Sequence, residues 1–364
     1  MIARVIVVAA LFAALVAWDR SLASDAEATR QARTEDVGRV LSQEELDSLE
    51  IAAIRLEWGD GRPATTYARA GGIWRCLEVF QAPADVRALE GLIGAITQAE
   101  GRVQSDDPGQ TQRYGIGVRE TVRFSLCDRN VLANPSASVL WSADVGFATA
   151  DGGGSYLRPG GSAEIWAVDR NPRPALESHI PNLPPLLDES VLTQSWLQAA
   201  RGFDRIFLDR ADGTSLDMRT RPREVSDEER RQGVPPYEWV LDPEGEALPL
   251  PIGRAMSYVF FLQRASYVAI LDPRKAGELG LQQPHDVITL IPPASPDGQA
   301  AQPLTLHVLP RMSGGGVPLA NPFVDTLYEL DAETASLMLP ARELLMDTGQ
   351  ENPWDAKLKA QHDH

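Results

Sequence analysis

At 364 residues, with 43% hydrophobic and 23% charged side chains, the chain is long enough for two ordinary domains and has a globular composition. Its net charge of -17 argues against nucleic acid or an anionic lipid surface as partner. The five histidines, two of them at His362 and His364, show no metal-ligand spacing, and no cofactor motif occurs.

In chain order the first signal is Val5 to Trp18, an unbroken apolar run behind Arg4. As a helix it would reach about 21 Å, short of the roughly 30 Å hydrocarbon core. Residues 1–23 are therefore expected to be either a signal peptide, cleaved near Ser21-Leu22-Ala23 or Ser24-Asp25-Ala26, or an uncleaved N-terminal anchor. Both place the bulk of the chain outside the cytoplasm, on the periplasmic side. Residues 24–45 read as a polar tether. Near its end Ser42 and Glu45 have the spacing of a capping box.

Beyond the tether the chain repeats itself. Trp74 is followed by Gly115 and Trp239 by Gly280 at the same separation of 41 residues. Strands Val122-Leu126 and Val287-Ile291 align at a shift of 165, as do Val103 with Val268 and Val139-Trp141 with Leu304-Leu306. At a shift of 162, Gly152-Gly153-Gly154 matches Gly314-Gly315-Gly316, and Trp166 matches Tyr328. We expect one repeat over 46–190, a second over 191–348 and a loose tail over 349–364. Trp74, Gly115, Trp166, Trp239, Gly280 and Tyr328 would be its matched core positions.

Each repeat opens with alternating apolar residues (Ile51, Ile54, Leu56, Trp58; Phe203, Ile206, Leu208) and a polar reversal at Gly59-Asp60-Gly61 or Asp212-Gly213. A helix follows with buried positions Val86, Leu89, Leu92, Ile93 and Ile96 in the first copy. Ile252, Met256, Val259 and Phe260 form the predicted stripe in the second. Pro83 and Pro251 are read as first-turn prolines. The triple glycines lie between strands, with no following lysine-serine pair, so they read as tight turns rather than anion cradles.

The copies differ in a charged insertion from Arg221 to Pro236 and in a proline-rich connection from Pro172 to Pro185. The latter leads to a joining helix predicted over Glu189-Ala200. Cys76 and Cys127 fall at strand ends of one copy; either one bridge or two buried thiols fits an exported protein. Alternating strands predict an α+β fold: two similar units, each a twisted, mostly antiparallel sheet with one main helix on a face. Exposed sheet edges would offer a strand-pairing mode of binding.

The exported part, about residues 46 to 348, resembles the family called domain of unknown function 4340. The likeness rests on the helix followed by Tyr114-Gly115-Ile116 or Leu279-Gly280-Leu281 and then a strand. It rests also on Tyr156-Leu157-Arg158 leading into Ile165-Trp166-Ala167-Val168-Asp169. The resemblance implies a bacterial, membrane-anchored extracytoplasmic accessory of ABC-2-type or gliding-motility-like transporters, and it brings no catalytic residues.

Three functional classes follow. The first is a non-catalytic extracytoplasmic assembly module with a transporter or envelope partner. The second is a solute-binding protein. The third is an envelope-polymer hydrolase using converging acids such as Asp169 with Asp188, or Asp331 with Asp347. His179, His285 and His307 sit in no nucleophile or metalloprotease motif, so no catalytic residue is expected.

Overall fold

The computed structural model describes residues 37–70, 72–133, 138–200, 202–231, 234–241, 247–294 and 302–362. The expected signal or anchor and most of the tether lie outside them.

The described chain begins with β1 (Gly38–Arg39), α1 (Gln43–Asp47), β2 (Ala53–Trp58), β3 (Thr65–Ala70), β4 (Ile73–Cys76) and β5 (Ala82–Pro83). It continues with α2 (Val86–Thr97), β6 (Glu100–Ser105), β7 (Val122–Cys127), β8 (Val139–Ala148), β9 (Ser155–Pro159) and β10 (Ile165–Val168). Then come α3 (Gln194–Ala200), β11 (Arg205–Asp209), β12 (Ser215–Pro222), α4 (Asp227–Arg231), β13 (Tyr237–Leu241), β14 (Leu248–Pro249) and α5 (Ile252–Arg264). The last elements are β15 (Ala269–Leu271), β16 (Asp286–Ile291), β17 (Leu304–Val308), β18 (Val317–Asn321), β19 (Thr326–Leu330), α6 (Ala332–Met338), α7 (Arg342–Met346) and α8 (Pro353–His362). The fold is α+β, built on two mostly antiparallel sheets.

By internal packing the chain divides into two compact units. One holds the described residues of Met1–Thr65 and Glu90–Glu177; the other holds Thr66–Leu89 and Ser178–His364. The unit of packing is thus not the unit of repeat, since residues 66–89 were expected within the first copy.

The repeat itself is visible in strand order. In the first unit neighbouring strands run β6-β10-β9-β8-β7-β2, and in the second β15-β19-β18-β17-β16-β11. The ribbon β3-β4-β5 likewise matches β12-β13-β14. Register follows: Trp166 pairs with Leu157 and Tyr328 with Leu319, holding the shift of 162. Gly115 and Gly280 both have left-handed backbones, with φ of 74° and 102°, and both are buried. The glycine runs do form turns, with positive φ at Gly152 in one and Gly315 in the other.

Pairing corrects the shift of 165 elsewhere. Phe124 and Leu126 lie across from Leu56 and Ile54, whereas Ile288 and Leu290 lie across from Leu208 and Ile206. All eight are fully buried, so the structural shift is 164. A strand has a side-chain period of two, and a one-residue slip would point Thr289 inward in place of Ile288. Val103 and Ile270 are the counterparts facing Trp166 and Tyr328; Val268 is not, being 49% exposed. Pro83 ends β5, three residues before α2, and pairs across the ribbon as Pro249 does, so it is no first-turn proline. Trp74 is half-buried although its counterpart Trp239 is buried.

Leu89, Leu92 and Ile96 are buried on α2 as expected, with Val86 and Ile93 half-buried. On α5 the buried face is rotated: Arg254, Ala255, Tyr258, Val259, Phe261 and Leu262 point inward, while Ile252 and Phe260 are each 46% exposed. The cause is the tail, which is not loose. It forms α8, whose Trp354 is fully buried, lies 5.3 Å from the Tyr258 ring and donates from Nε1 to the Leu337 carbonyl at 3.1 Å. Arg254 turns inward because its guanidinium donates to the carbonyls of Gln350 and Glu351.

At the other end the folded part starts before residue 46. β1 pairs with β6, and the predicted capping box forms, with Ser42 Oγ accepting from Glu45 N and Glu45 Oε2 from Ser42 N. The joining helix is shorter than expected, beginning at Gln194.

Candidate functional site

A wide cleft lies in the second unit. It encloses about 810 Å³ between the segment from His179 to Ser190 and the end of α5 with Ser266, Tyr267 and Val268. That volume lies within the range of ligand-binding pockets.

The cleft exists because the chain entering α3 is fastened in two directions. On one side Asp85 N donates to the Leu186 carbonyl and Asp188 N to the Pro83 carbonyl, with an antiparallel bridge at Ala84 and Leu187. The Tyr67 hydroxyl donates to the Pro185 carbonyl. On the other side Val191 N donates to the Ala265 carbonyl at 3.0 Å and Ser190 bridges Ser266. Ahead of the first fastening and within it the backbone turns sharply, with left-handed φ of 64° at Asn182 and 60° at Leu186. Such conformations are unfavourable for a bulky side chain and persist because the surroundings fix them.

Asp188 is the centre of this turn. It is 5% exposed. Its Oδ1 accepts from Ser190 N at 3.2 Å and its Oδ2 from Gln194 N at 2.7 Å, while its carbonyl accepts from the Tyr267 hydroxyl at 2.9 Å. Ser190 Oγ in turn donates to the Gln263 carbonyl. Burial pushes the Asp188 carboxyl up to about 6, against the two backbone donors that favour its charge, and the nearby Asp85 and Glu189 add to the rise. Burial also drives the Tyr267 phenol far above its ordinary value, so it remains a neutral donor. Chemically this is a recessed acceptor with spare lone pairs, flanked by Asp85 and Glu189, and suited to holding a donor group.

The acids of the expected pairs are each engaged by backbone or cap partners of their own. Asp169, in the first unit, accepts from Glu100 N, whereas Asp188 belongs to the second. Asp331 caps α6 through Thr334 N and Thr334 Oγ1, and Asp347 Oδ1 accepts from Gly349 N, so both hold local turns. Cys76 and Cys127 are both free and buried and fall in different units, the second of the two expected alternatives. Burial pushes Cys76 up to about 12 and raises Cys127 as well. His179 lines the cleft, whereas His285 and His307 meet elsewhere in the second unit, at 2.8 Å.

In the first unit a charged recess holds Arg123 and Arg158 on either side of Asp144. Burial would raise the Asp144 carboxyl, but the two guanidiniums outweigh it and hold the group below its usual range. That arrangement spans adjacent strands of a sheet face and reads as a cross-strand ion network.

Sequence reasoning missed Ser190 and the cleft, though a signal was present. Val191-Leu192-Thr193-Gln194 echoes Val40-Leu41-Ser42-Gln43. The echo is structural: Val40 N donates to the Ala99 carbonyl as Val191 N does to that of Ala265, and Leu41 and Leu192 are both buried. No protein-family model matches the chain, and no characterised protein or solved structure matches it either.

Proposed function

We propose that the chain is a non-catalytic extracytoplasmic accessory and assembly module, the partner of an ABC-2-type membrane transporter complex. The observation that carries the reading is the Asp188 turn, where a buried carboxylate is spent on fixing backbone and shaping a cleft. A group so engaged presents an acceptor to a partner rather than a mobile acid to a reaction. The expected export of the chain, read from the apolar run Val5 to Trp18, and its resemblance to domain of unknown function 4340 support the compartment and the kind of partner proposed. Affinity purification of the tagged full-length chain from detergent-solubilised membranes tests it. Transporter membrane subunits should be enriched; a membrane-associated chain that brings down no envelope protein overturns the reading.

The volume of the cleft also suits a solute-binding protein. A screen of small metabolites by thermal shift separates the two, because a tight solute would raise Tm by several degrees on the order of 1–3 kcal/mol of linkage.

A further inference from the structure

We infer that the recess over Arg123 and Arg158 in the first unit is a binding site for a small oxyanion, a carboxylate or phosphate group carried by a solute. The site belongs to the other unit than the Asp188 cleft and stands independently of the assembly reading.

A row of charged side chains crosses the sheet here. Register sets Glu57 on β2 opposite Arg123 on β7, Arg123 opposite Asp144 on β8, and Asp144 opposite Arg158 on β9. Such a ladder could serve only to hold strands together, and the duplication tests that idea. The same row in the second unit is Asp209, Val287, His307 and Ala320, paired in the same order on β11, β16, β17 and β18. That copy builds its sheet with no guanidinium in the row, so the repeat does not need Arg123 and Arg158 in order to fold.

What the two arginines present is a donor surface. Each spends its Nε–H and an Nη2–H on Asp144, which leaves its Nη1 without an acceptor among the described residues. The Asp144 side chain is 6% exposed, whereas those of Arg123 and Arg158 are 51% and 27% exposed, so guanidinium and not carboxylate faces the recess. Arg119, in the loop that lines the same recess, makes no hydrogen bond or ion pair among the described residues. The other acid of the lining, Glu57, is already held by Arg55 at 3.1 Å.

Two guanidiniums that share one enclosed carboxylate keep an unbalanced positive charge, here within a chain whose net charge is -17. An oxyanion set among Arg119, Arg123 and Arg158 would balance it through charge-assisted bonds, in the forked geometry that guanidiniums offer to carboxylate and phosphate. At about 440 Å³ the recess has room for a small solute.

Calorimetric titration of the full chain in neutral detergent, at constant ionic strength, tests this with inorganic phosphate, succinate and chloride. Phosphate or succinate should bind with a Kd of about 1 mM or tighter, and whichever binds names the oxyanion. Arg119→Gln, at an exposed position outside the Asp144 network, should weaken that binding about tenfold. Arg123→Val introduces the side chain that the second copy carries in this row; it should weaken binding by about as much while leaving the circular dichroism unchanged. Should that variant misfold, Arg119→Gln alone decides. Binding of phosphate and succinate no tighter than that of chloride, or an affinity unaltered in Arg119→Gln, overturns the proposal.

Discussion

His285 Nε2 lies 2.8 Å from His307 Nδ1, and His285 Nδ1 lies 2.7 Å from the Gln283 carbonyl oxygen. A carbonyl only accepts, so His285 Nδ1 carries a proton and its Nε2 offers a lone pair to the N–H of His307. The neutral pair is thus fully matched. Burial, with His285 alongside, holds His307 below its ordinary 6.5. The unfolded chain then binds more protons than the folded one below that value, so stability should decline as pH falls through about 6.5. Urea denaturation over a pH series checks this, with His307→Gln expected to flatten the decline; an unchanged slope would refute it.

Asp188 should give the opposite slope in a lower window. Its carboxyl is raised from 3.8 to about 6, so between those values the folded state holds the extra proton. Its contribution is fully present below 3.8 and is lost as pH rises through about 6, a difference of about 3 kcal/mol. Asp188→Asn is expected to remove that dependence. The slope, and not the absolute stability, is the readout, because the variant also loses a backbone acceptor.

Trp354→Ala should destabilise the second unit by about 3–5 kcal/mol, the range for emptying a large buried site. A chain ending at residue 348 should fare worse, since Arg254 would be left buried without the Gln350 and Glu351 carbonyls. Calorimetry distinguishes these outcomes from the near-zero effect expected of a loose tail.

Alanine at the two matched glycines should cost about 1–3 kcal/mol each from backbone strain alone. Gly115→Ala is expected to be the more severe. Its new Cβ would sit 2.6 Å from Phe147 N, whereas at Gly280 the nearest atom is Pro310 Cδ at 2.9 Å. A ring carbon can shift more readily than backbone.

Both thiols should resist alkylation in the native chain and react after denaturation without any reductant. Burial alone predicts this, because the thiolate is the nucleophile and Cys76 is pushed up to about 12. A mass shift that needed reductant would mean a bridge.

Much of this was written locally. The Ser42–Glu45 box, the reversals at Gly61 and Gly213 and the paired Gly115 and Gly280 depend on neighbours a few residues away, so residue type alone specified them. The doubling of the strand order followed from the same alternation twice over. The cleft was not legible, because nothing near Leu186 in sequence announces that its carbonyl will be taken by Asp85.

What the amino-acid sequence determined by itself is therefore the α+β class, the duplication and the turns, since side-chain period and left-handed glycine are properties of short segments. Tertiary structure alone decided which side of α5 is buried, the one-residue slip at Ile288, the helix in the tail and how the chain before α3 is fastened. Each of these is set by partners far along the chain: carbonyls that accept Arg254, a strand that fixes facing, a tryptophan that fills a gap. Short-range pattern carries no record of such distant contacts.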